Sequence, residues 1–223
     1  MPTTDTLAVS VGIEGDGPVA LAFSHDGADL VIAHRASQNL IVFDATTLAF
    51  EREIAIPGGP HDLALAPDGS RACVVDALGD QVWILDYASG ALEHTVPLAG
   101  LQPGVVRITS DSARAIVGNT VDQSLSEIDL SSGAELQRIA GAGFSSSAAI
   151  TGESGVTTFS FTDFELVDDQ TAVHADFVAD QVDFFDFNTG FVTSIALAAE
   201  ARGLGLSGDG STAVISHVFG TQL

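Results

Sequence analysis

Lysine is missing from this sequence altogether. Its seven basic side chains are arginines, set against thirty aspartates and glutamates, and the formal net charge is −23 over 223 residues. That balance excludes nucleic acid as a partner, because counterion release from phosphates needs a basic surface. It argues against anionic membranes for the same reason, and it permits cationic partners or loosely held divalent ions. The plainest account of the charge is solubility, for example in high salt. Cysteine is almost missing too. Cys73 stands alone, so no intrachain disulfide forms, and its place in an apolar strand predicts a buried thiol. No apolar run approaches the roughly 18 residues of a membrane span, so no membrane insertion is expected. Residues 1–16 carry neither the basic nor the apolar segment of a signal peptide. Also lacking are Cys-x-x-Cys-His for covalent haem, a G-x-S-x-G nucleophile elbow, a phosphate-cradling glycine loop and a full EF-hand loop. These absences leave no recognisable catalytic set, no assigned metal and no assigned cofactor.

What is present is a repeat. The stretch from Pro60 to Asp86 reads as three short strands, Leu63–Ala66, Ala72–Val75 and Gln81–Leu85, with a fourth at Leu92–Val96. Each is β-branched or apolar and closed by Asp, Gly, Ser or Pro. The turn acid after the first strand recurs as Asp26, Asp68, Asp111, Glu153 and Asp209, at intervals of 42, 43, 42 and 56 residues. The acid closing the third strand recurs as Asp44, Asp86, Asp129 and Asp186. A residue that repeats with the unit serves the unit, so these acids are expected to be turn acceptors. Four antiparallel strands per 42 or so residues is the spacing of a β-propeller blade. The expected fold is therefore all-β: one propeller domain over 1–223, with repeats over about 17–58, 59–101, 102–143, 144–199 and a partial 200–223. Leu7–Ile13 matches a fourth strand and is expected to complete a blade. About five blades are visible, and the expectation is part of a larger ring, truncated or completed by another copy. Open blade edges would then invite self-association.

The segments GPVALAFSHDGADLVIAHRASQNLIVFDATT and GPHDLALAPDGSRACVVDALGDQVWILDYASG resemble the YVTN-family β-propeller repeat. The resemblance covers about residues 7–223, with the namesake tetrapeptide degraded to VIAH, CVVD, VHAD and VISH. It implies the propeller fold. It also implies surface-layer and secreted relatives, hence an extracytoplasmic place, and a wider kinship with lactonases, quinoprotein dehydrogenases and haem or copper reductase domains. Fold alone does not choose among these functions.

In such a fold the first strand of each blade lines the channel, and the loops leading into it share one face with those joining the second and third strands. The second strand ends at His34, Asp76, Asn119, Asp176 and His217, one per blade. These residue types suit a metal, or each side chain caps its own loop; blade spacing speaks against a shared ion. The lead-in to the first strand places His61 and Arg202 at the channel mouth, where an arginine fork suits a carboxylate or phosphate. Inside that strand Arg107 replaces the small residues Ala22, Ala64, Ala149 and Gly205. It either pairs with Asp62 or holds an anionic ligand. An insertion of about 14 residues, Val156–Asp169, is expected between the first and second strands of repeat four. Its Phe159, Phe161 and Phe164 either dock a partner or pack on their own blade.

The function expected from these residues is a non-catalytic binding or scaffold propeller. It would recognise a protein, a glycan or a small anionic ligand through His61, Arg107, Arg202, His34, Asp76, Asn119, Asp176 and His217. The alternative is a propeller enzyme of lactonase or quinoprotein-oxidoreductase type with its site at the channel mouth.

Overall fold

The computed structural model describes residues 15–121, 123–140, 150–151, 157–158, 164–176, 180–197, 201–207 and 212–217. Leu7–Ile13 lies outside them. Blade one comprises β1 (Pro18–Phe23), β2 (Asp29–His34), β3 (Asn39–Asp44) and β4 (Phe50–Ala55). Blade two comprises β5 (Asp62–Leu65), β6 (Arg71–Asp76), β7 (Gln81–Asp86) and β8 (Leu92–Pro97). Blade three comprises β9 (Pro103–Ile108), β10 (Arg114–Asn119), β11 (Ser124–Asp129) and β12 (Ala134–Ala140). A separate hairpin pairs β13 (Ile150–Thr151) with β14 (Thr157–Thr158). Blade four comprises β15 (Phe164–Asp168), β16 (Thr171–Asp176), β17 (Gln181–Asp186) and β18 (Phe191–Ala196), and β19 (Ala201–Leu206) pairs with β20 (Ala213–His217). Each blade is a four-stranded antiparallel meander in sequence order. The first strands adjoin one another, with β5 lying between β1 and β9. The chain therefore has a propeller-like all-β fold.

Local chemistry sets the strand ends. Asp44, Asp86, Asp129 and Asp186 each accept backbone N–H groups two or three residues on, as from Thr47 at 2.6 Å, Ser89 at 2.8 Å, Ser132 at 2.8 Å and Asn188 at 2.8 Å. These bonds hold the carboxyls of Asp44 and Asp86 below their ordinary range and that of Asp129 at about 2. Four residues after each acid the backbone turns left-handed: Gly90, Gly133 and Gly190 have φ of 71°, 66° and 70°, while blade one places Leu48 there at 57°. A side chain in that region costs on the order of 1–3 kcal/mol, and glycine's extra chain entropy returns roughly 0.5–1 kcal/mol of it. Leu48→Gly is therefore expected to stabilise the protein by about 0.5–1 kcal/mol. A urea midpoint below wild type would instead show that Leu48's packing outweighs its strain.

Packing runs between blades. Alternate residues of a strand point to opposite faces, and both faces of an inner blade are covered, so β6 is apolar throughout its interior. Val74 joins Trp83 and Leu63 against Val31, Val42 and Ile54 of blade one. Cys73, Val82 and Ile84 turn the other way, against Val106, Val117 and Ile128 of blade three. Burial pushes the Cys73 thiol up to about 12, which leaves it inert at neutral pH. Ile116, Leu125 and Ile139 meet Phe164, Ala172 and Phe185 of blade four. On blade one's other side Leu21 and Phe23 stay 64% and 57% exposed, although Leu63 and Val106, at the register of Leu21, are buried.

Blade four corrects the expected repeat. Its first strand is Phe164–Asp168, which pairs directly with Thr171–Asp176. The expected insertion after the first strand thus contains that strand, and the extra residues precede the blade. Asp168, whose carboxylate accepts the Gln170 N–H at 2.7 Å, is the turn acid in place of Glu153. Phe164 is fully buried between blades three and four, so this part of the stretch packs on its own blade. Phe159 and Phe161 lie outside the described residues.

Candidate functional site

Three of the side chains at the ends of the second strands turn into their own blades. Asp76 accepts the N–H groups of Leu78 and Gly79 through Oδ1, at 3.2 and 3.0 Å, and the Gln81 amide through Oδ2 at 2.8 Å. This is the loop cap its residue type allows. Asn119 is fully buried, and its Nδ2 donates to Ser124 Oγ at 3.0 Å and Ser126 Oγ at 2.9 Å. His34 is buried beneath Gly15, where any Cβ would collide with the imidazole. Its burial pulls the pKa below the usual histidine value. Asp176 and His217 end β16 and β20 as expected, but their side chains, like that of Arg202, lie outside the described residues. Among the described residues no group of three or more His, Cys, Asp or Glu gathers where it could hold a metal ion.

Arg107 lies between two carboxylates. Its guanidinium is 3.7 Å from Asp62 Oδ2 of blade two and 3.5 Å from Glu165 Oε2 of blade four. It donates to the Val106 carbonyl at 3.0 Å and stands 5.8 Å from the centre of the Phe164 ring. Asp62 also accepts the Val106 N–H at 2.9 Å. The expected Asp62 pair is present, and Glu165 makes it a clasp across three blades. These side chains are about a third exposed or less, so each ion pair contributes up to about 1 kcal/mol, and the ring contact adds a similar amount. Arg107→Ala is expected to lower stability by about 1–2 kcal/mol, because it also leaves two acids facing one another. Chemical denaturation reads this; an unchanged midpoint would remove the clasp role.

His61 opens onto a different arrangement. Arg35, the residue after β2, donates through Nε to the Pro60 carbonyl at 3.2 Å and through Nη2 to His61 Nδ1 at 2.5 Å. Gly59 makes room for this: a Cβ there would stand 3.0 Å from Arg35 Cγ and 3.2 Å from its carbonyl oxygen. Since a guanidinium only donates, Nδ1 of His61 is an acceptor and the ring is neutral. Desolvation lowers the His61 pKa, the Arg35 charge lowers it further, and Asp62 opposes them. The pair lines a cavity of about 160 Å³ completed by Gly59, Ala77, Leu78 and Gln102, from three blades. Leu78, 89% exposed, forms an apolar rim. Gln102 is fixed by its N–H to Asp80 at 2.7 Å and its carbonyl to Thr120.

Arg35 is the residue the sequence did not single out. Arg52, Arg71, Arg107 and Arg114 are each ion-paired to a carboxylate. Arg35 meets none among the described residues. A larger hollow of about 500 Å³ lies on the opposite face, between Pro67, Ile108, Ser110 and Leu166–Asp169. There Asp169 is already bonded to Ser110, at 2.6 Å through the backbone N–H and 2.9 Å through the hydroxyl.

No protein-family model matches the chain, and no curated protein matches it by sequence. Among solved structures it is similar to a chain of Kuenenia stuttgartiensis hydrazine synthase, with a TM-score of 0.69 and 20% identity. The alignment covers 95% of this chain and 58% of that one, so this chain spans under two thirds of that protein's length. At that identity the likeness establishes what the four meandering sheets show on their own, a propeller-like fold.

Proposed function

We propose that this chain is a non-catalytic binding propeller that takes an anionic group of its ligand at the Arg35–His61 pocket. The observation that carries this reading is the exposed guanidinium of Arg35, which no carboxylate neutralises among the described residues, in a chain of net charge −23. An arginine fork so placed favours planar oxyanions. The cavity is well below the roughly 300–1,000 Å³ of sites that enclose a whole drug-sized ligand. It suits a small molecule, or one group of a protein or glycan resting on the face around Leu78. The resemblance of the repeats to YVTN-family units agrees with a binding role outside the cytoplasm. Of the eight residues expected from the sequence, His61 is the one this reading keeps in direct contact with ligand. His34, Asp76, Asn119 and Arg107 support the blades around it.

The test is a saturation-transfer NMR screen of mono- and dicarboxylates, acidic sugars and acidic peptides. At least one compound is expected to bind, and Arg35→Ala, with unchanged circular dichroism and melting, is expected to weaken it at least tenfold. Equal binding to wild type and Arg35→Ala would place the ligand site elsewhere.

A further inference from the structure

Arg35 and His61 cannot both keep their present contact and gain a proton. Nδ1 of His61 accepts the Arg35 Nη2–H at 2.5 Å, so a proton on Nδ1 would break that bond and set two cations side by side. An anion lying between the guanidinium and the imidazole reverses the balance. It accepts from the freed guanidinium and from the new imidazolium, and it neutralises one of the two charges. Of the five N–H groups a guanidinium offers, Arg35 spends one on Pro60, and once the bond to His61 is broken four remain for such a ligand. The other groups facing His61 leave this couple intact. Asp62, its neighbour on β5, is held by Arg107 and the Val106 N–H. Asp76, at the end of β6, is held by Leu78, Gly79 and Gln81. The blade-three wall is the neutral Gln102, and the loop after β6 supplies the uncharged Ala77 and Leu78.

We propose that this pocket is a proton-coupled carboxylate site, in which Arg35 binds the carboxylate of a short-chain acid and His61 takes up one proton from solvent as it binds. The inference rests on the reading that Arg35 marks the ligand site. Three features select the class. A planar carboxylate matches the guanidinium fork. Ala77 and the exposed Leu78 give an apolar body something to lie against, which a bare oxyanion would not use. A monoanion meets less repulsion than a dianion from a protein of charge −23. The volume of about 160 Å³ equals that of about five waters at ~30 Å³ each, which is room for an acid of a few carbons.

Linkage gives the consequence. Proton uptake makes affinity rise as pH falls, by up to about tenfold per pH unit over the range where His61 is neutral in the free protein but protonated in the complex. The experiment is a propionate titration at pH 5.5 and 8.0, at constant ionic strength, read from the histidine ring resonances. His25, exposed in a turn of blade one, reports any general salt effect. Propionate is expected to bind at least about tenfold tighter at pH 5.5. It is also expected to raise the titration midpoint of His61 relative to His25. His61→Gln is expected to bind with one affinity at both pH values, and Arg35→Gln to lose binding at both. Equal wild-type affinity at the two pH values, or an unmoved His61 midpoint, would overturn the proton coupling and leave Arg35 as an anion site. Sulfate binding as tightly as propionate would overturn the carboxylate class. No response of His61 to either anion at either pH, with binding of another screened ligand still dependent on Arg35, would overturn the inference alone. The same silence with no Arg35-dependent ligand would remove both readings.

Discussion

Replacing Trp83 by alanine is expected to cost about 3–5 kcal/mol of unfolding free energy, roughly a fifth or more of what a typical domain has. Trp83 sits in the middle of β7, 1% exposed, in the cluster that joins blades one and two. Its ring also lies directly under Gly58, where a Cβ would come within 3.0 Å of Cη2. Removing it opens a cavity bordered by strands from two sheets, and hydrogen-bonded strands cannot close in on the void without losing register. In a repeat array each blade contacts only its neighbours, so the loss falls on the interface between blades one and two. Trp83→Phe keeps most of the burial and is expected to cost well under half as much. The check is urea denaturation followed by far-ultraviolet circular dichroism, since Trp83 is the only tryptophan and its fluorescence goes with it. A loss below about 1 kcal/mol for the alanine variant would mean that the blades are not coupled through this cluster.

The repeat made most of the architecture legible because the residues that mark it act locally. Asp44, Asp86, Asp129 and Asp186 fall at fixed spacing because each caps the turn that follows it, and a cap needs only its own next three residues. The two-faced apolar strands were legible for a similar reason, as a run such as Ala-Cys-Val-Val has no polar face to show. Blade four was misplaced because Glu153 falls at the expected interval by coincidence. The true turn acid, Asp168, closes a five-residue strand whose Phe164 and Glu165 look unlike the small residues of the other first strands. Contacts between blades carried almost no local signal. In blades one to three the eighth residue after the third-strand acid reaches the next blade, as Arg52 to the Tyr87 carbonyl at 3.2 Å, His94 to that of Ser131 at 3.2 Å and Gln137 to that of Phe187 at 2.6 Å. Those partners are distant in sequence and share no residue type. At the candidate site residue type was legible and direction was not. Asp76 and Asn119 are chemically fit to bind ligands, but nearby amides and hydroxyls claim them first. Arg35 did leave a signal, as a lone arginine where blades two and three have Ala77 and Thr120. It is the same departure from the repeat that marks Arg107.

Acidification is expected to destabilise the protein well above the pH at which its carboxylates titrate, and His174 is the cause. It lies on β16, 1% exposed, opposite Asp183 of β17 in the strand register, with Nδ1 4.0 Å from Oδ2. Asp183 is itself enclosed, its Oδ1 accepting from Ser194 Oγ at 2.5 Å and from the Gln181 amide at 2.9 Å. Burial pushes the His174 pKa down to about 3. In the unfolded chain the ring returns to about 6.5. Between these values the unfolded state binds the extra proton, so stability rises with pH there and falls as pH drops from about 6.5 towards 3. The slope is at most a little over ~1 kcal/mol per pH unit for one group. His34 and His61, also lowered, act in the same direction. From pH 6.5 to 4.5 the expected loss is roughly 2 kcal/mol or somewhat more. The upper half of that window lies more than a pH unit above the ordinary aspartate and glutamate values. The turn caps add their own loss only lower down, as pH falls from the ordinary aspartate value of 3.8 towards the folded value of about 2 at Asp129. Urea midpoints at pH 7.5, 6.0 and 4.5 measure the first window, and His174→Gln is expected to flatten it. If that variant does not fold, the native-state ring resonance of His174 serves instead, and it should not titrate down to pH 4.5. A midpoint independent of pH over this range, or a His174 ring that titrates near 6.5 in the folded protein, would show that Asp183 keeps the imidazole charged and that the blade holds an ion pair at its centre.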